Sequence, residues 1–164
     1  MKLLRTLLAL GVALAVQAGL GRLWPAAHRW VDVMMVPVVW YGIAGTQRSA
    51  MWVGCAAGLM QDGWLAVGAF GLNGFKKTLL GFALGGVGGR FDLNRPPGRF
   101  AAAALVTVAD GLLDPLLRRL IDQQHDPLNL TELLVRAGST ALLVVLSFST
   151  VDRFRRNRRL RNLA

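Results

Sequence analysis

Few residues in this chain have the polarity to do chemistry, and they fall into three groups. Asp110 and Asp114 stand four apart, which on a helix puts them on one face with Thr107 and Ala103. Paired carboxylates can divide acid and base roles when unlike surroundings separate their pKa values. They can equally bind a cation or line a substrate path. The plainer reading is that Asp114-Pro115 marks the outer end of a helix, with Arg118 at i+4 to pair with Asp114. No nucleophile, metal cluster or phosphate loop accompanies the pair, and this favours the plainer reading. Asp62 is the second group, in an otherwise apolar run, with Lys76 and Lys77 as the next cations along the chain. The third is the arginine cluster Arg153, Arg155, Arg156, Arg158, Arg159 and Arg161. His28 and His125 are far apart and neither belongs to a ligand-spaced motif. Cys55, between Gly54 and Ala56, reads as a small buried hydrophobe, and a single cysteine excludes an intrachain disulfide or a multi-cysteine metal cluster. No catalytic constellation is visible, so the chain reads as a non-enzyme without cofactor or metal.

The elements that must position these groups are membrane spans. The chain has 164 residues, 54% hydrophobic and 17% charged, with a mean hydropathy of +0.44. A soluble domain usually carries about 25% charged residues, so a large water-soluble domain is excluded. At about 20 residues per spanning helix the length holds at most about six spans. Apolar segments cover Leu7 to Leu20, Trp30 to Gly45, a run after Ser49 broken at Asp62-Gly63, Phe75 to Gly89, Phe100 to Leu117 and Leu133 to Val151. The first segment also has the form of a signal peptide, with Val16-Gln17-Ala18 before Gly19 as a cleavage site, although the spans that follow favour a retained helix. Pro37 inside the second segment predicts a kinked helix packed among neighbours. Gly68 to Gly74 reads as a glycine-rich turn, and Asp122 to Pro127 as a polar loop. The domain reading is a multi-pass helical unit over 1–152 and a basic tail over 153–164.

Net charge is +10, from 19 basic against 9 acidic residues. Six spans with both termini cytoplasmic place most basic residues inside, as the positive-inside bias requires. Half of that inside set lies in the tail, and Lys76-Lys77, with Arg22, Arg29, Arg118, Arg119 and Arg136, falls on the outer side. Directly after a span, the tail arginines read as a topology lock and a contact for anionic membrane lipids, about 1 kcal/mol each near the surface. That reading is preferred to nucleic acid.

Small residues let helices approach closely in lipid, where no hydrophobic drive joins them. Gly54 and Gly58 share a face by their spacing of four, and Asp62 continues it. Gly81, Gly85 and Gly89 form a second ridge. Counted from Ser49, Asp62 lies roughly 20 Å along its helix, past the middle of a hydrocarbon core about 30 Å thick. An ionised carboxylate there costs about 2.5 to 3.5 kcal/mol. Pairing with Lys76 or Lys77 is the leading expectation. The alternative is that Gln61-Asp62-Gly63 ends the helix at the outer interface.

Gly58-Leu59-Met60-Gln61-Asp62-Gly63, then Gly68 to Gly74 with Leu72-Asn73, then the apolar segment closing in Gly85-Gly86-Val87-Gly88-Gly89-Arg90, resembles the rod shape-determining MreD family. Asp32 at the start of the second span, the six-span size and a short basic tail fit that pattern, whereas Lys76-Lys77 and the wide spread of arginines within the tail do not define it. The resemblance implies a non-catalytic, multi-pass subunit of the bacterial inner membrane in the elongation machinery for side-wall peptidoglycan. The partners it implies are MreC, MreB, RodA and a class B penicillin-binding transpeptidase. It also implies a fold like that of the substrate-binding membrane subunits of energy-coupling-factor vitamin transporters. Two functions therefore stand: a scaffold, with the glycine faces, Asp62, Gly63 and Asn73 fixing an internal junction, and a vitamin-binding subunit with Asp110, Asp114 and Asn73 against a ligand and Ala101 to Ala104 as a docking face.

Overall fold

The computed structural model describes residues 2–24, 30–65, 70–91, 93, 95–121 and 129–161. Six helices make up this part of the chain: α1 Lys2–Leu23, α2 Met35–Ala44, α3 Gln47–Leu65, α4 Leu72–Gly88, α5 Pro96–Leu120 and α6 Leu130–Arg161. Each apolar segment read from the sequence contains one. Three helices, over Leu4–Leu23, Pro96–Leu120 and Leu130–Phe154, are long and apolar enough to cross a membrane. The other three fall short in length or in mean hydropathy, so the six-span expectation is met in helix number and only half met in spanning length.

Why α2 is short is legible locally. Pro37 sits in its first turn, where no intrahelical donor is required. The expected kink is therefore replaced by a helix start. At ten residues, or roughly 15 Å, α2 cannot cross a bilayer core alone, yet it contacts all five other helices. Met34, Met35, Val38 and Val39 are fully buried and join Leu10, Ala13, Leu80, Leu84, Ala103, Val144 and Phe148 in one apolar core. The outer faces are apolar too: Leu7, Leu8 and Val12 on α1, Leu105 and Leu116 on α5, and Leu142 and Leu146 on α6 are all exposed. A soluble bundle would bury them.

Neighbours in sequence run antiparallel. Thr6 near the start of α1 bonds Tyr41 near the end of α2. Arg99 at the start of α5 reaches Asp152 near the end of α6 at 2.8 Å, while Arg136 and Asp110 meet at the opposite ends of that pair. One end of the bundle thus gathers the starts of α2, α4 and α6. The other is closed by Trp40 stacked on Phe148 at 4.0 Å, with the Arg99 guanidinium 4.3 Å above the Phe148 ring. α5 runs through Pro115 to Leu120, which corrects the expectation that Asp114-Pro115 ends it. Nor does α6 break at Asp152: the basic tail continues the same helix to Arg161.

Candidate functional site: a buried ion network beside a glycine seam

The two glycine ridges face one another. A Cβ on Gly54 would stand 2.1 Å from the Lys77 carbonyl oxygen, one on Gly58 2.2 Å from that of Asn73, and one on Gly81 2.4 Å from that of Ala50. A Cβ on Gly85 would stand 2.7 Å from the Gln47 Cα. As the α3 number falls the α4 number rises, so α3 and α4 form an antiparallel seam of backbone against backbone. Each glycine weakens its helix by about 0.5–1 kcal/mol relative to alanine, and the contact it permits offsets that. Gly89, expected on the second ridge, and Gly63, expected at the junction, are exposed and outside the seam: a Cβ on Gly63 would meet only the Phe70 ring edge at 3.8 Å, and Gly89 caps α4.

Asp62 closes the seam at one end. Its carboxylate accepts hydrogen bonds from the backbone of Gly71 and Gly74 at 3.0 Å each and of Asn73 at 3.4 Å, and from Asn73 Nδ2 at 2.7 Å. These amides are free because they open α4, where no earlier turn supplies acceptors and the helix dipole favours an anion. Gly71, with φ of 93°, turns the chain sharply enough to aim them back at α3. The expected partnership of Asp62 with a lysine is therefore corrected: Asp62 caps α4, and it does so from inside α3, which continues to Leu65. Gly68, within the expected turn, lies outside the described residues, as do His28, His125 and the Asp122 to Pro127 loop.

Both lysines point elsewhere. Lys77 Nζ is 2.5 Å from Asp32 Oδ2, and Lys76 Nζ lies 2.6 Å from Asp114 and 3.6 Å from Asp110. Arg136 Nη2 donates to Asp32 Oδ2 and Asp110 Oδ2, at 3.1 Å each, and Arg118 Nε donates to Asp114 at 2.7 Å. The order Lys77, Asp32, Arg136, Asp110, Lys76, Asp114, Arg118 is thus one chain of alternating charge that ties α4, α5 and α6 to the turn before α2. Asp32, Asp110, Lys76 and Lys77 are at most 2% exposed. The ladder is braced by neutral groups: Thr140 Oγ1 accepts from the Asp32 amide, Ser139 bonds the Trp30 carbonyl, and Gln17 of α1 accepts from Val33 N and donates to Val31 O. A buried charge without its partner would have to leave or neutralise, so each acid here holds a cation of another helix in place.

A family model described as rod shape-determining protein MreD matches residues 3–151. The chain belongs to the MreD family. Membership gives it a role in rod shape determination and places it among membrane proteins of the rod shape machinery. Neither a curated protein nor a solved structure matches the chain. The likeness to vitamin-transporter subunits thus has nothing beside it here. The match takes in every residue of the seam and network and ends at residue 151, before Arg153. Arg153 is exposed, and the side chains of Arg155, Arg156, Arg158, Arg159 and Arg161 lie outside the described residues.

Of the residues singled out from sequence, Asp62 and Asn73 come together, and Asp110 and Asp114 share Lys76. Gly54, Gly58, Gly81 and Gly85 form one contact. Sequence reasoning missed Arg136 and gave Asp32 no partner. The only signal was their charge in apolar surroundings, and nothing in the order of residues says that positions 104 apart meet.

Proposed function

We propose that this MreD chain is a non-catalytic scaffold subunit of the bacterial cell-elongation complex, a multi-pass helical bundle of the inner membrane with both termini in the cytoplasm. The observation that carries this reading is the use made of the buried acids. Asp32, Asp62, Asp110 and Asp114 are each bonded to another helix or to the turn that opens one, which is what holding helices in register requires and what turnover does not. The topology gains support from the same bonds. Of the basic residues that six spans place outside, Lys76, Lys77, Arg118 and Arg136 are bonded to carboxylates. Three carboxylates offset most of that charge, so these residues weigh little against the positive-inside bias. Retention of α1 is supported by Leu10, Ala13 and Gln17, which are buried against the bundle.

On this reading the apolar outer faces meet lipid and the membrane helices of MreC, RodA and a class B transpeptidase, with MreB on the cytoplasmic side. Asn73, Asp110 and Asp114, the groups a vitamin would use, are each engaged within the chain, which favours the scaffold. The test is replacement. In a rod-shaped bacterium depleted of its own MreD, this chain restores rod shape and co-purifies MreC. Round cells, or a chain retaining a small vitamin through purification without MreC, would overturn the reading.

A further inference from the structure

The ion network leaves three buried atoms without a hydrogen-bond partner: Asp32 Oδ1, Asp110 Oδ1, which faces the Lys76 ammonium at 3.6 Å, beyond hydrogen-bond distance, and Arg136 Nε. They are not scattered. Both carboxylates already accept from one nitrogen, Arg136 Nη2, through their other oxygens, and Nε belongs to that same guanidinium. Each of the three atoms therefore belongs to a group that meets the others at Arg136 Nη2, where the turn before α2, α5 and α6 join. Polar atoms buried this deeply are almost always bonded, and leaving one unpaired costs about 1–3 kcal/mol.

The chemistry of the three selects what can join them. Two are acceptors and one is a donor. A metal cation would suit the oxygens but not the N–H, and the seven-member chain already holds four cations against three carboxylates. A halide would suit Nε alone and repel both carboxylates. One water molecule can donate twice and accept once, which satisfies all three, and buried waters make about three such bonds. We propose that Asp32 Oδ1, Asp110 Oδ1 and Arg136 Nε form a buried site for one structural water. The water completes the junction of the ladder and belongs to the fold as a side chain does. The inference does not depend on the scaffold reading.

The test is a density map of the full chain in lipid nanodiscs, at a resolution that shows ordered water, alone and with rubidium or bromide. One water-sized peak is expected at about 2.7–3.2 Å from all three atoms, unchanged by either ion. Arg136→Lys keeps the positive charge but has no Nε, so the peak is expected to vanish while the helices stay in place. Protein donors closing on the two carboxylate oxygens, rubidium or bromide occupying the position, or a peak that survives Arg136→Lys would each overturn the proposal. The wild-type map decides even if that variant does not fold.

Discussion

The α3–α4 seam and the ion network solve the same problem by opposite means. The seam has almost no side chains in it: glycines admit a neighbouring backbone, and many weak contacts hold the pair. The network is all side chain: a few strong, directional bonds hold helices whose backbones stay farther apart. A seam of this kind fixes depth and distance but tolerates little added volume. A network of this kind fixes which helices meet but depends on every partner being present. Lys77 belongs to both, its carbonyl against Gly54 and its ammonium on Asp32. The depth at which α3 grips α4 therefore decides whether the ladder can close, and the comparison teaches that neither region is independent of the other.

Removing a shared acid breaks the network side most severely. Asp32→Ala leaves Lys77 buried and unpaired, and loss of one partner of a buried pair costs about 3–5 kcal/mol. Unfolding measured in lipid or mild detergent is expected to show that loss, with a fall in the amount of chain in the membrane. A cost under 1 kcal/mol would detach the network from stability. On the seam side, Gly54→Ala drives a methyl into the Lys77 carbonyl and is expected to cost toward the upper end of about 1–3 kcal/mol. Gly11→Ala, with no atom within 4 Å of its Cβ, is the control and is expected to stabilise α1 by up to about 1 kcal/mol. Equal effects at the two glycines would mean that the seam is not a close contact.

Smaller effects sharpen the boundary between the regions. Asp62→Ala removes an acceptor from the opening amides of α4 and is expected to cost about 1–2 kcal/mol, with faster amide exchange at Gly71, Asn73 and Gly74. Unchanged exchange there would restore a lysine partnership for Asp62. Arg118→Ala removes the partly exposed end of the ladder, an i,i+4 pair worth about 0.3–0.5 kcal/mol, and is expected to leave the fold intact. A loss of several kcal/mol would show that Arg118 has a buried role.

The seam was more legible in the sequence than the network, for a physical reason. Spacing of four places Gly54 and Gly58 on one face whatever surrounds them, and the apolar runs locate the helices within about five residues except at the end of α6, which continues past Val151 to Arg161. Asp114 and Arg118 were legible by the same local geometry. The partners of Asp32 and Lys77 were not, because 45 and 104 residues separate Asp32 from its two cations. Which helices neighbour one another depends on the packing of the whole bundle. Asp62 misled because the next cations along the chain are not its nearest donors: the Gly71 turn brings backbone amides to it first. Pro37 and Pro115 misled in opposite directions, one opening a helix and the other sitting inside one that continues.

The central claim is that the buried charges lock helices to one another, and the coupling between Lys77 and Asp32 tests it most directly. Unfolding free energies in lipid for the wild type, Lys77→Met, Asp32→Asn and the double variant give that coupling. The account predicts that the double variant is more stable than the sum of the single losses by at least about 1 kcal/mol, and additivity within about 0.5 kcal/mol would contradict it.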